Sequence, residues 1–322
     1  MGGGDGRPTI VVVVGPTAVG KSACALLICE RFAGEIVSVD SMQVYRGFDR
    51  ATAKPSPLER ARAPHHGIDL VDPGQDFSMG DFVRQAETAI TGIVARRRLP
   101  VLVGGTGLYL RALLRGMAEA PGRAPRLRQR LNALGEKRGV PWLHRMLRRV
   151  DPRTASRLPT NDRQRIVRAL EVFFAARRPL STLIGKAPFG APRYDSVTIG
   201  LNCDRGELYR RIDARVDAFF AAGLVGEVRG LLAAGWPETA NAFKALGYRE
   251  VMAFVRGACS LEEAIVLTRR NTRRYAKRQL TWFRREPEVA WFDVDPAHPR
   301  SFQAPLEHVA RQLALRQGAA WA

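Results

Sequence analysis

The chain predicts an α/β fold on a parallel sheet, and three features point to it: short β-branched apolar runs, helical spacing between them, and a glycine-rich loop directly after the first run. Residues 10–14 (IVVVV) are five apolar residues in a row, a length suited to a strand covered on both faces. Residues 22–32 then have helical spacing, and residues 35–40 (EIVSVD) form a second strand that ends on Asp40. A helix is predicted over 82–97. Residues 100–103 read as the next strand, broken by Gly104-Gly105 before a helix through Leu113. Strands alternating with helices imply parallel pairing and a sheet flanked by helices. Pro and Gly cluster at 120–125 and again at 188–192, and the segment between them reads mainly as helix (141–150 and 163–176). Strand signal returns at 196–201, followed by helices to Phe283 and a last strand near 289–294. The predicted organisation is a core of residues 9–118 and 194–322, a helical insertion at 119–193, and a glycine-rich start (1–8) expected to be disordered.

The 322 residues are 46% hydrophobic and 25% charged, values of a folded protein with an ample core. No apolar run approaches the ~20 residues of a membrane helix, and no basic segment followed by an apolar stretch marks a signal peptide. A cytoplasmic, monomeric protein with no membrane partner is expected. Cys24, Cys29, Cys203 and Cys259 form no CxxC pair, which argues against a zinc site or a disulfide framework. Adjacent histidines such as His65-His66 chelate one ion poorly.

There are 51 Lys and Arg against 31 Asp and Glu, a net charge of +20, and the excess is concentrated. Residues 119–193 hold 18 basic and 5 acidic residues, and residues 269–285 hold 8 basic residues and no acidic one. A near-neutral body with two basic segments is the footprint of a polyanion-binding protein, since solubilising charge would be interspersed with the opposite sign.

Between the first strand and its helix stand Gly15, Pro16, Thr17, Ala18, Val19, Gly20, Lys21 and Ser22, a full match to GxxxxGK[ST]. The glycines let backbone N–H groups turn towards phosphate oxygens, the helix N-terminus adds its positive end, Lys21 adds a point charge, and the Ser22 hydroxyl is a ligand for Mg²⁺. This loop marks ATP- and other nucleotide-binding proteins and predicts a P-loop NTPase-like sheet. It does not say whether phosphates are transferred, hydrolysed or lost as a leaving group. Asp40 sits at the strand ends where ligands of such sheets bind; there it serves as a Mg²⁺ ligand, a proton acceptor or only a turn residue. Thr106, in Gly104-Gly105-Thr106-Gly107, reaches the same edge as an oxygen contact or a helix cap.

In order along the chain, GPTAVGKS (15–22), VDSMQVYRG (39–47), TAKP (52–55), HHGIDLVDP (65–73), FSMGDF (77–82), VLVGGTGLYLRALL (101–114), NDRQRIVRALEV (161–172), LGYRE (246–250) and YAKRQLTWFR (275–284) resemble the tRNA dimethylallyltransferase (isopentenyltransferase) family of bacterial type. The phosphate loop is common to many families; DSMQVYRG, NDRQRIVRALEV and AKRQLTWFR are specific. Ser22 stands where many relatives have Thr, which keeps the hydroxyl.

The resemblance implies transfer of a dimethylallyl group from dimethylallyl diphosphate to N6 of adenosine 37 in tRNAs that read codons beginning with U, with an inserted helical domain gripping the anticodon stem-loop. It implies Asp40 as general base, Thr106 beside the reacting groups and Arg215 on the diphosphate. Asp40, Ser41, Met42 and Gln43 would receive the flipped adenine, and Gln164, Arg165, Ile166, Val167 and Arg168, with Arg128, would hold tRNA. Tyr275, Trp282 and Phe283 read as core packing, with Arg269 and Arg273 facing RNA. Three alternatives stay open: a P-loop nucleoside or metabolite kinase, an adenylate isopentenyltransferase, and a non-catalytic RNA-binding module.

Overall fold

Residues 10–14 are at most 1% exposed, as a strand covered on both faces must be, and they lie at the centre of a parallel sheet. This computed structural model describes residues 6–116, 121–184 and 189–317. In chain order the first elements are β1 (Thr9–Val14), α1 (Lys21–Phe32), β2 (Gly34–Val39), α2 (Pro57–Arg62), β3 (His65–His66), α3 (Met79–Ala95), β4 (Leu99–Gly104) and α4 (Gly107–Arg115). Five helices follow: α5 (Pro125–Arg138), α6 (Val140–Val150), α7 (Pro152–Ala155), α8 (Arg163–Ala176) and α9 (Leu180–Ile184). The sheet resumes with β5 (Asp195–Asn202), then α10 (Arg205–Ala221), α11 (Leu224–Ala233), α12 (Tyr248–Val255), α13 (Leu261–Phe283), β6 (Ala290–Asp293) and α14 (Gln303–Gln317).

The strand order is β3-β2-β4-β1-β5-β6, and every pairing is parallel. β1 pairs with β5 from Thr9↔Asp195 to Val14↔Gly200, and β2 with β4 from Gly34↔Leu99 to Val39↔Gly104. This register brings the carboxyl ends of β1, β2 and β4 to one edge, where Gly15, Asp40 and Gly105 follow them. Local sequence sets the helix starts. Ser56 with Glu59, Ser78 with Asp81 and Ser260 with Glu263 form capping boxes at α2, α3 and α13.

The chain divides into two compact units, residues 1–114 with 193–322 and residues 115–192. Arg193 N–H donates to the Leu114 carbonyl (2.8 Å) and its guanidinium pairs with Glu87, so Arg193 belongs to the sheet unit rather than to the insertion. The second unit has its own core of Leu131, Leu143, Leu147, Ala155, Ile166, Val167, Ala169 and Leu170. The expected disorder of residues 1–8 falls partly outside the described residues (1–5). Pro8 itself is pinned, because its carbonyl accepts from Asp195 N–H at 3.0 Å. Ala120 and Pro188 of the two Pro/Gly clusters lie outside the described residues. Among the described residues no helix is long and apolar enough to cross a membrane.

Candidate active site

The loop after β1 is shaped by glycine where nothing larger fits. Gly15 has φ +141°, and a Cβ there would lie 2.5 Å from the Leu201 carbonyl oxygen. The loop is braced from three sides. Thr17 N–H donates to Gln279 Oε1 of α13 (2.8 Å), Arg211 Nε of α10 donates to the Ala18 carbonyl (3.0 Å), and Lys21 Nζ donates to the Pro16 carbonyl (2.7 Å). Gly20 caps α1 with no side-chain hydrogen bond, which leaves the first-turn amides free to face an anion. Burial pushes the Lys21 ammonium down to about 7; the Arg215 charge acts in the same direction and Asp40 opposes it.

Asp40 follows β2 directly. Its Oδ1 accepts from the Met42 (2.7 Å) and Gln43 (3.3 Å) amides. Burial nevertheless holds its carboxyl above the usual carboxylate range, against those amides and the charges of Lys21 and Arg215. The rest of the DSMQVYRG loop is locked by its own side chains. Gln43 Oε1 accepts from Ser38 Oγ (2.7 Å), and its Nε2 donates to the Thr52 (3.0 Å) and Ala53 (3.1 Å) carbonyls. Lys54 Nζ reaches the Tyr45 carbonyl and both Asp49 and Asp69.

At the end of β4, α13 packs so closely that two glycines are required. A Cβ on Gly105 would sit 1.7 Å from Gln279 Nε2, and one on Gly107 would sit 2.2 Å from the Trp282 ring. Between them Thr106 Oγ1 is buried and, among the described residues, meets no hydrogen-bond partner of ordinary geometry. The Tyr275 hydroxyl lies beside Thr106 and Gln279. Burial pushes it up to about 12, with the Asp40 charge adding to the shift.

Lys21, Asp40, Arg215 and Tyr275 face a cavity of about 370 Å³ whose walls also include Ser22, Met42 and Gly105; the hydroxyl of Thr106, directly after Gly105, is buried behind that wall and does not line it. A wider cavity of about 1210 Å³ shares Lys21, Ser22 and Arg215 with it, so the phosphate loop stands between the two. Arg215 makes no ion pair among the described residues; its guanidinium lies 5.6 Å from the Phe219 ring. Burial lowers its pKa, so its charge is poorly solvated. A cavity lined by a carboxylate together with an ammonium, a guanidinium and the first amides of α1 can accept a proton and stabilise departing negative charge together.

Several residues read from sequence stand elsewhere. Gln43 lines the cavity, but its amide is used up in holding the loop. Ile166 and Val167 are 0% and 3% exposed in the core of the second unit, so their side chains cannot hold a nucleotide there. Arg128 and Arg168 converge on buried Glu171 (2.7 and 2.9 Å), and Arg168 also donates to the Pro121 carbonyl; both are structural ties. Gln164 and Arg165 are exposed, with Arg165 paired to the helix-capping Asp162. Arg269 and Arg273 are turned to Asp217 and Asp213 of α10, while Arg270, Arg274, Lys277 and Arg278 are the exposed cations of α13. Phe283 is core, but Tyr275 lines the cavity. His66 pairs with Glu35, and His65 bonds to the Ala63 carbonyl. Gln279 and Arg211 were not singled out, because a bond across 262 or 193 residues leaves no local pattern.

The IPP transferase family model matches residues 43–286. A tRNA dimethylallyltransferase of Geobacter metallireducens is 49% identical over 303 residues, 94% of this chain and 97% of that protein. One of Symbiobacterium thermophilum is 50% identical over 91% of each chain. The full-length tRNA isopentenylpyrophosphate transferase of Bacillus halodurans superposes with a TM-score of 0.71 at 39% identity, covering 97% of this chain and 98% of that one. A eukaryotic dimethylallyltransferase captured acting on tRNA gives 0.75 at 26% identity, covering 89% and 74%.

Proposed function

Because the chain belongs to the IPP transferase family, we infer that it is a tRNA dimethylallyltransferase, moving the dimethylallyl group of dimethylallyl diphosphate to N6 of adenosine 37 in tRNAs that read codons beginning with U. One observation carries the chemistry: Asp40, Lys21 and Arg215 face a single cavity beside the phosphate loop. The adenine amino group is a weak nucleophile because its lone pair is delocalised into the ring. As the N6–C bond forms, Asp40 takes the N6 proton, and its raised pKa suits it to that work. The allylic C–O bond breaks and the diphosphate leaves with both electrons of that bond. Lys21, the first amides of α1 and Arg215 stabilise that charge, and the buried Thr106 hydroxyl offers a hydrogen bond beside it.

The residues fit Mg²⁺ carried on the diphosphate. The exposed Ser22 hydroxyl makes no hydrogen bond among the described residues, and this one protein oxygen suits an ion that keeps water and phosphate ligands. When bound, Mg²⁺ neutralises part of the diphosphate charge.

A stacked loop base reaches Asp40 only when extruded, and the cavity takes a base but not a stem. Gln164 and Arg165 on α8 and Arg270, Arg274, Lys277 and Arg278 on α13 are exposed groups that would meet the RNA. Lys21, Ser22, Asp40, Thr106 and Arg215 all come from one chain, so a monomer suffices. To test the reading, dimethylallyl diphosphate labelled in the allyl group is incubated with Mg²⁺ and unmodified tRNA, AMP or ATP. Label on N6 of adenosine 37 is expected. Label on AMP alone identifies an adenylate isopentenyltransferase, and phosphorylation by ATP without allyl transfer identifies a kinase.

A further inference from the structure

Gln279 occupies an unusual place for a side chain on a basic helix. It is 5% exposed, among the few buried polar residues of the chain, and both ends of its amide are engaged by backbone from different parts of the site. Oε1 accepts from Thr17 N–H in the phosphate loop (2.8 Å), and Nε2 donates to the Gly105 carbonyl in the turn after β4 (3.2 Å). A carbonyl can only accept and an N–H can only donate, so the two partners leave one orientation of the amide. One planar group therefore sets the spacing between the loop that would hold the diphosphate and the turn that carries Thr106. Tyr275, one helical turn earlier, places its hydroxyl beside Gln279, Thr106 and Asp40. The missing side chain at residue 105 completes the arrangement, because a methyl there would overlap Gln279 Nε2 at 1.7 Å.

We propose that Gln279 is a positioning residue for allyl transfer: it clamps the phosphate loop to the β4–α4 turn and so holds the diphosphate in register with Asp40 and Thr106. The proposal rests on the transferase reading above. A misplacement of about 1 Å of a reacting group can lower a rate on the order of 100-fold, so a clamp of this kind has a measurable effect without touching the reacting atoms. Gly105 and Gln279 are then one device. Gly105→Ala should act by pushing Gln279 out of place, and it should do no further harm once the side chain it collides with has gone.

The test uses the full chain and three variants: Gln279→Ala, Gly105→Ala and the double variant. kcat and KM are measured for dimethylallyl diphosphate at saturating tRNA, together with tRNA affinity by filter binding and thermal unfolding. Each single variant is expected to lower kcat/KM for the diphosphate on the order of 100-fold. tRNA affinity should stay within about twofold, since the clamp faces the phosphate loop and not the exposed side of α13. The double variant should be no worse than Gln279→Ala alone, because both changes break the same contact. Gln279→Glu keeps the acceptor for Thr17 but loses the donor to Gly105, so it should fall between wild type and Gln279→Ala; it also supplies the measurement if the alanine variant does not fold.

Near-normal kcat/KM in Gln279→Ala overturns the proposal. So does a double variant whose loss is the product of the two single losses, or a loss that appears only in tRNA affinity. If the wild-type chain transfers no label to tRNA, it is the transferase reading that fails; if the wild type transfers normally and Gln279→Ala does too, only the clamp fails.

Discussion

At the sheet edge the important cations are few: Lys21 and Arg215 line one cavity, are held largely out of solvent, and form no ion pair with a carboxylate among the described residues. In residues 115–192 the cations are many and mostly exposed, and the two drawn furthest in, Arg128 and Arg168, are neutralised by a shared buried carboxylate, Glu171. The first arrangement keeps charge undersolvated until a ligand arrives, so a small anion is held by geometry. The second keeps charge in water, where it acts at longer range and gives way to salt. A motif of fixed spacing identifies the first kind. Composition alone detects the second kind but does not separate an arginine that meets a polyanion from one that holds a helix pair together.

Removing the proposed base from the sheet-edge site is the most severe way to break this contrast. Asp40→Asn should lower kcat by about 10²–10⁴-fold, while tRNA affinity, set by exposed charge, stays within about twofold. Single-turnover transfer with labelled dimethylallyl diphosphate, alongside filter binding, measures both; an equal loss in each would erase the distinction between the two regions.

In the second unit the largest effect should come from an acid. Glu171→Ala leaves Arg128 and Arg168 without their partner. It is expected to destabilise the unit by about 3 kcal/mol, the lower end for a broken buried pair, because both guanidinium groups still reach water. Urea unfolding measures this. Burial pushes the Glu171 carboxyl up, but hydrogen bonds from Arg128, Arg168 and the Ala124 amide outweigh it and hold it at about 2. With the folded value below the ordinary 4.5, this stabilisation is full above about pH 4.5 and is lost as pH falls towards 2. Wild type and Glu171→Ala should therefore converge in stability across that acid range.

The smallest effect belongs to a single exposed guanidinium. Arg165→Ala should weaken tRNA binding modestly and flatten the slope of log K against log salt by about 0.7, as for one lost phosphate contact. Arg168→Ala should instead lower the unfolding midpoint. If the two exchange roles, the division between structural and RNA-facing arginines is wrong.

Much of this is legible in the amino-acid sequence. β-branched runs marked β1, β2, β4 and β5, and Gly15–Ser22, Asp40 and Thr106 could be placed at one sheet edge from the strand they follow. β3 was not, because two residues have no periodicity; nor was α14, whose weakly amphipathic run contains Pro305. Arg215 became a candidate only through resemblance, and Gln279 not at all, since its significance lies in a bond to Thr17. Ile166 and Val167 share a sequence motif with exposed Gln164 and Arg165, but the 3.6-residue turn of α8 carries the first pair to the inner face and the second to the outer.

The strand order also dictates a sequence of events during synthesis. β1 lies between β4 and β5, and Thr9 finds its partner only at Asp195. While residues 115–192 emerge from the ribosome, that unit can assemble around its own core, but the sheet waits with β2, β4 and β1 paired and one flank of β1 open. Pairings so distant in sequence close slowly, and an unpaired edge of five apolar residues is the kind that recruits strands from other chains. The nascent chain is thus most exposed to misassembly between the emergence of β4 and that of β5, an interval set by the length of the insertion.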